Sequence, residues 1–174
     1  MHPVELETAL ANMRILVDTR EQKTTRSIKR YEQFGVPWRY EQLDFGDYSC
    51  ETVLPDGVNL KLTSSVCVER KMSIDELCAC FTRDRERFTR EFERAQSSGA
   101  RLYLLIENAT WELIYNGKYK SRMSVNALVA SLTAFQARYG APVLMCKQET
   151  TGKLIKEILY RELKEKLTQG LLSI

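Results

Sequence analysis

Val66-Cys67-Val68-Glu69-Arg70-Lys71 is the stretch on which the reading of this chain turns. Apolar positions run straight into three charges, the pattern of a buried strand whose last residues emerge at a sheet edge or in a cleft. Side chains alternate along a strand, so Glu69 and Lys71 point one way and Arg70 the other. One carboxylate and one ammonium then stand side by side at a strand end. The carboxylate can hold a divalent cation through oxygen. The lysine can orient or deprotonate an attacking water, or meet charge growing on a phosphate. A lone Glu-x-Lys is common on solvated strand ends, so the reading depends on further acids.

Asp44-Phe45-Gly46-Asp47-Tyr48 supplies one, an acid after a glycine turn that opens a strand over Tyr48 to Val53. Glu69 follows Asp47 by 22 residues, room for a hairpin that brings both acids to neighbouring strands. An acid on one strand paired with Glu-x-Lys on the next resembles the PD-(D/E)xK, restriction-endonuclease-like nucleases.

The 174 residues suit one domain with its own core, expected to span 1–174 with the core over about 13–168. No apolar run reaches membrane-spanning length, and the amino terminus lacks the layout of a signal peptide, so the protein is expected inside the cell. Five cysteines without framework spacing favour free thiols. Cys78-x-Cys80 is too tight for a zinc pair, and His2 is the only histidine, which argues against structural zinc and histidine catalysis. A net charge of +3 does not announce a nucleic-acid binder. A cationic face requires instead that the acids gather in one cleft.

In chain order, residues 1–12 read as a tail or short helix, and Met13 to Val17 as a strand delivering Asp18-Thr19-Arg20-Glu21. Ser27 to Phe34 is a helix, Pro37 to Leu43 a strand, and Pro55-Asp56-Gly57 a turn before a return strand from Val58. Ser73 with Glu76 forms a capping box, placing Asp75 in a first turn where the helix dipole alone favours an acid. Thr82 to Ser97 carries Phe88, Phe92 and Ala95 at helical spacing, with Arg83 and Arg87 on one side near its start, suited to a phosphate. Arg101 to Ile106 is an apolar strand closing with Glu107. Ser124 caps a helix, Val143 to Cys146 is a strand, and Gly152 to about Thr168 is a last helix with a wide apolar stripe that continues through Leu171, Leu172 and Ile174. That stripe finishes the core or serves a dimer. The sum is an α/β fold with a mixed central sheet flanked by helices.

Val17-Asp18-Thr19-Arg20-Glu21, Gly46-Asp47-Tyr48, Val68-Glu69-Arg70-Lys71, Asp75 and Leu104-Leu105-Ile106-Glu107 together resemble the XPF-type nuclease family, structure-specific endonucleases that cut forks, flaps and other branched DNA. The resemblance runs from about Ile15 to Leu167. It implies Mg²⁺ or Mn²⁺, with Asp47 and Glu69 as first ligands and Asp18 and Glu21 as further acids around the metal. It implies Lys71 and Arg70 beside the reaction, Arg20, Arg83 and Arg87 as DNA contacts, and Asp75 and Glu107 in support. Four acids so close should leave the site poorly organised without a cation. The sequence departs from the family in two places. No tandem helix-hairpin-helix domain is expected within this chain, so a homodimer or a DNA-binding partner protein is expected instead. The segment that often reads Asp-Gly-Arg is Arg83-Asp84-Arg85-Glu86-Arg87-Phe88 here. Two rival readings are a catalytically inactive scaffolding relative and a restriction-like nuclease indifferent to branches. The first should have lost Asp47, Glu69 or Lys71, and all three are present.

Overall fold

Val66, Cys67 and Val68 are all fully buried, the mark of a strand covered on both faces. The computed structural model describes residues 2–170 and places this strand, β5 (Val66–Lys71), at the middle of a mixed sheet. Its companions are β1 (Arg14–Asp18), β2 (Trp38–Glu41), β3 (Tyr48–Val53), β4 (Asn59–Lys61), β6 (Arg101–Glu107) and β7 (Val143–Cys146). The order is β2-β1-β3-β5-β6-β7, with β4 paired to β3. β5, β6 and β7 run parallel, whereas β3 is antiparallel to both β1 and β5.

The helices are α1 (Pro3–Ala11), α2 (Thr25–Glu32), α3 (Ile74–Phe81), α4 (Arg85–Ser97), α5 (Trp111–Tyr115), α6 (Val125–Tyr139) and α7 (Thr151–Gln169). Strand alternation sorts the core into two layers. Leu16, Cys67, Leu104 and Ile106 face Phe81, Phe88, Phe92, Leu132 and Phe135 of α3, α4 and α6. Ile15, Val17, Val68 and Leu105 face Tyr31 of α2 and Ile155, Leu159 and Leu163 of α7. The α7 stripe thus finishes the core as far as Leu167, and Leu171, Leu172 and Ile174 lie outside the described residues. At Gly152 an added Cβ would stand 2.2 Å from the Arg30 carbonyl oxygen, so glycine lets α7 press directly on α2.

Several boundaries differ from the sequence reading. Residues 3–11 form a helix, and α5 was not anticipated because five residues carry too little periodicity. Thr82 to Asp84 is a turn between α3 and α4, which removes Arg83 from the helix face it was expected to share with Arg87. Ser73 does cap α3, accepting from Glu76 N at 3.2 Å. Glu76 reaches one residue further back than a capping box requires, accepting from Met72 N at 2.6 Å. The cysteines are free thiols, and no described helix is long and apolar enough to cross a membrane.

Candidate active site

Tyr48 pairs with Val68 across the antiparallel β3–β5 ladder, a register that sets Asp47 opposite Glu69. Both side chains line a cleft of about 700 Å³ at the carboxyl end of β5. Gly46 makes the approach possible. Its φ of +73° lies in the left-handed region, and a Cβ there would sit 2.8 Å from Cys67 Cβ. Asp47 is then fixed by its own backbone, its N–H donating to Val68 O at 2.9 Å and its carbonyl accepting from Asp18 N at 2.8 Å. Asp47 Oδ2 accepts from Arg70 N at 2.8 Å. Lys71 Nζ donates to Glu69 Oε1 at 2.5 Å and lies 5.1 Å from the centre of the Phe88 ring. The other oxygen of each carboxyl accepts no hydrogen bond among the described residues.

Burial raises the proton affinity of both acids, and a neighbouring charge adds to the penalty on each, Glu21 for Asp47 and Asp47 for Glu69. The Asp47 carboxyl is pushed up to about 6, by burial first and then by Glu21, against the pull of Lys71 and the Arg70 N–H. Glu69 is raised well above the carboxylate range, by burial first and then by Asp47. Burial works against the Lys71 ammonium, yet Glu69, Cys80 and Asp47 outweigh it and hold the proton on more firmly than usual. Lys71 is therefore a cation at neutral pH. That suits it to orient water or meet phosphate charge, and unsuits it to take a proton.

The opposite face of β5 carries a different arrangement. Arg70 Nη2 donates to Glu21 Oε1 at 3.1 Å, and Arg70 Nη1 stands 3.4 Å from Glu107 Oε2. Arg30 of α2 joins them, with Nη2 on Glu21 Oε1 at 2.5 Å and Nε on Tyr48 OH at 2.8 Å. Arg26, one turn earlier, donates to Glu107 Oε2 at 3.0 Å. Glu107 is fully buried, so three guanidiniums balance two glutamates. Charge is balanced across this group, while Arg26 Nε, Arg70 Nε and Nη1 and Glu107 Oε1 make no hydrogen bond among the described residues.

Some expected residues fall elsewhere. Asp18 does not line the cleft: its oxygens accept from Arg20 Nε at 2.8 Å, Arg20 Nη2 at 3.0 Å and Leu43 N at 2.9 Å. In place of the metal contact expected of it, Asp18 braces the turn after β1. Arg20, expected on DNA, is spent on Asp18 and on Leu43 O at 3.0 Å, though it still edges the cleft. Arg83 pairs with Asp84 at 3.4 Å and stays exposed, while Arg87 does line the cleft. Asp75 Oδ1 accepts from Lys120 N and Ser121 N, at 2.8 and 2.7 Å. The four acids expected together do not share one site: Asp18 is taken by Arg20 and Glu21 by Arg30 and Arg70, while Glu21 still raises the Asp47 carboxyl and Asp47 that of Glu69.

Among the cleft residues that escaped the sequence reading are Arg26, Arg30 and Glu91. Glu91 Oε1 accepts from Gly46 N at 2.8 Å, bracing the turn that presents Asp47. A signal existed, because Glu91 sits between Phe88 and Ala95 at helical spacing, an acid on the apolar stripe of α4. Arg30 stands likewise among Ser27, Tyr31 and Phe34.

The ERCC4 domain model matches residues 17–158, from the end of β1 into α7. The chain belongs to the ERCC4 domain family. Solved structures agree in fold. XPF from Aeropyrum pernix superposes with a TM-score of 0.60 at 24% identity, over 86% of this chain and 61% of that one. XPF from the same organism in complex with DNA gives 0.56 at 24% identity, over 92% and 68%. The ERCC4 domain described here thus has the restriction-endonuclease-like sheet and spans about 61% of the first of those chains. No curated protein matches.

Among the described residues, no three His, Cys, Asp or Glu side chains gather into a ready-made metal cage. The ERCC4 domain offers instead two buried oxygen donors, each with one unengaged oxygen and each short of neutralising charge. That donor set fits a hard divalent cation of the Mg²⁺ type, which binds through one or two carboxylates and completes its shell with water and phosphate.

Proposed function

We propose that this chain is a divalent-cation-dependent endodeoxyribonuclease that hydrolyses phosphodiester bonds at branched, fork or flap DNA in repair or recombination. The observation that carries the reading is the pair Asp47 and Glu69, delivered from separate strands to one cleft, under-neutralised, with the Lys71 ammonium alongside. Membership of the ERCC4 domain family and the DNA complex of the XPF relative support it.

Asp47 and Glu69 would hold Mg²⁺ or Mn²⁺, with Glu21 and Glu91 on the same cleft. Such an ion, when bound, activates water and neutralises charge on the departing oxygen. The protein's own residues do the rest. Gly46 and the Glu91 carboxylate hold the Asp47 turn in place, and the Arg70 N–H fixes the Asp47 carboxyl. Lys71 orients the attacking water or meets negative charge on the phosphate. The Arg26, Arg30 and Arg70 guanidiniums hold Glu21 and Glu107, and Arg87 meets the DNA backbone. The setting is with DNA inside the cell, and a second copy or a DNA-binding partner completes the grip on substrate.

The test is incubation of a labelled fork and a matched linear duplex with Mg²⁺ or Mn²⁺, and then with chelator. Cation-dependent cutting confined to the fork is the expected result. Equal cutting of the duplex would move the assignment to a branch-indifferent nuclease. No cutting with either ion would make the chain an inactive DNA-binding relative. Sedimentation with and without fork DNA reports whether a dimer forms.

A further inference from the structure

We propose that the loop between α5 and α6, residues 116–123, is a second DNA-backbone contact beside the cleft, and that Asp75 is the residue that positions it. The proposal rests on the nuclease reading and extends it to a named surface.

The backbone of this loop is tied at several points. Asp75 Oδ1 takes both the Lys120 and Ser121 N–H groups. Tyr119 OH donates to Met123 O at 2.9 Å, and the Tyr119 ring packs on the core beneath. Lys118 N donates to Leu113 O at 2.8 Å, and Ser121 Oγ accepts from Met123 N at 3.2 Å. A loop held this firmly still leaves Lys118, Lys120 and Arg122 exposed. None of the three forms an ion pair among the described residues. Residues 113–148 contain no Asp or Glu but five Lys or Arg; the acids nearby are Glu112 just before the segment and Asp75, whose oxygen is engaged by the loop's backbone.

Position gives the row its ligand. Asp75 adjoins Glu76 and lies three residues past Met72, and both of those line the cleft. The loop is therefore tied to the start of α3, the helix that borders the cleft, although none of its own residues lines the cleft. Cations on a tied loop, with no acid side chain paired to them and one helix turn from the proposed phosphodiester site, match the backbone of a duplex arm leading away from the scissile phosphate. Asp75 itself touches no phosphate. Its two accepted N–H bonds set where the cations stand, which is more than the dipole argument for a first-turn acid supplies.

The test measures fork DNA binding as a function of salt, with Ca²⁺ replacing Mg²⁺ so that little is cut, and cleavage separately with Mg²⁺. The variants are K118A/K120A/R122A, Asp75→Ala and Asp75→Asn. The triple variant should keep the melting temperature, lower the slope of log affinity against log salt by about 2 to 3, and weaken binding by about 10-fold or more at moderate salt. Its KM for a long-armed fork should rise while kcat stays within about 2-fold, and a fork with arms cut short should show no such difference. Asp75→Ala should shift in the same direction to a smaller extent, and Asp75→Asn should recover most of it because its amide oxygen still accepts the two N–H groups. An unchanged slope in the triple variant overturns the loop contact while the nuclease reading stands. Failure of the parent chain to bind DNA overturns both. If the loop takes an acidic peptide in place of DNA, with the triple variant losing the peptide alone, the DNA assignment is overturned.

Discussion

The two faces of β5 treat charge in opposite ways. On the Arg70 face, Arg26, Arg30 and Arg70 surround Glu21 and Glu107, and the glutamates find partners on several sides. On the Glu69 face, Asp47 and Glu69 press on each other with Lys71 as the cation in contact, and both carboxyls hold protons more tightly than usual. The first arrangement balances its charges within the protein, though Glu107 Oε1 and Arg70 Nε and Nη1 accept or donate no hydrogen bond among the described residues. The second leaves a deficit of positive charge, the one that the proposed divalent ion would make good. One strand thus separates the charge-paired network from the proposed metal site by the two-residue alternation of its side chains.

The sharpest way to break this contrast is to remove the deficit. Asp47→Ala or Glu69→Ala should lower kcat/KM for the fork by at least about 100- to 1,000-fold, while fork affinity in Ca²⁺ changes little. Retention of cation-dependent cutting by both variants would sink the assignment. Breaking the brace should act on stability instead. Glu107→Ala leaves Arg26 unpaired and Arg30 and Arg70 with Glu21 alone and should cost about 3 to 5 kcal/mol, read as a lowered Tm in chelator. A loss of activity with Tm unchanged would make Glu107 part of the chemistry.

The next prediction concerns pH. The Asp47 carboxyl is pushed up to about 6 by burial and by Glu21, so the folded chain binds its proton more tightly than the unfolded chain does. Above that pH the buried charge therefore costs stability, and the cost is relieved as pH falls through about 6. Asp47→Asn in chelator should accordingly raise Tm by several degrees at pH 8, worth about 2 kcal/mol. The gain should shrink steadily between pH 6 and pH 4. A gain that is flat with pH would refute the burial account. Gly46→Ala should cost about 1 to 2 kcal/mol from its positive φ and more from the crowding at Cys67. It should also depress kcat beyond what its Tm loss explains. The smallest effect is at Arg83, exposed and paired with Asp84. Arg83→Ala should leave fork affinity within about 2-fold, while Arg87→Ala weakens it several-fold and flattens the salt dependence.

Much of the fold was legible because it rests on local patterns. The strand alternation of Val66 to Lys71 and the helical stripes of α4, α6 and α7 map onto the sheet and its cover. The pairing of Asp47 with Glu69 followed from strand spacing. What escaped depended on which group a side chain finds across the fold. The family resemblance implied Asp18 as a further acid around the metal, yet the Arg20 fork two residues on consumes its oxygens. Nothing local along the chain ties Arg30 or Glu91 to the site, and only the three-dimensional register brings one to Glu107 and the other to Gly46. Glu91 and Arg30 each interrupt an apolar stripe, and that interruption was the available clue.

Gly152 lies far along the chain from the cleft, yet its missing side chain seats α7 against the helix that carries Arg26 and Arg30. A change as small as a methyl at that crossing would lever the guanidiniums away from their glutamates. The brace behind the cleft can therefore be disturbed from a buried helix crossing, by a residue that lines no part of the cleft. A substitution there would leave Asp47, Glu69 and Lys71 themselves unaltered.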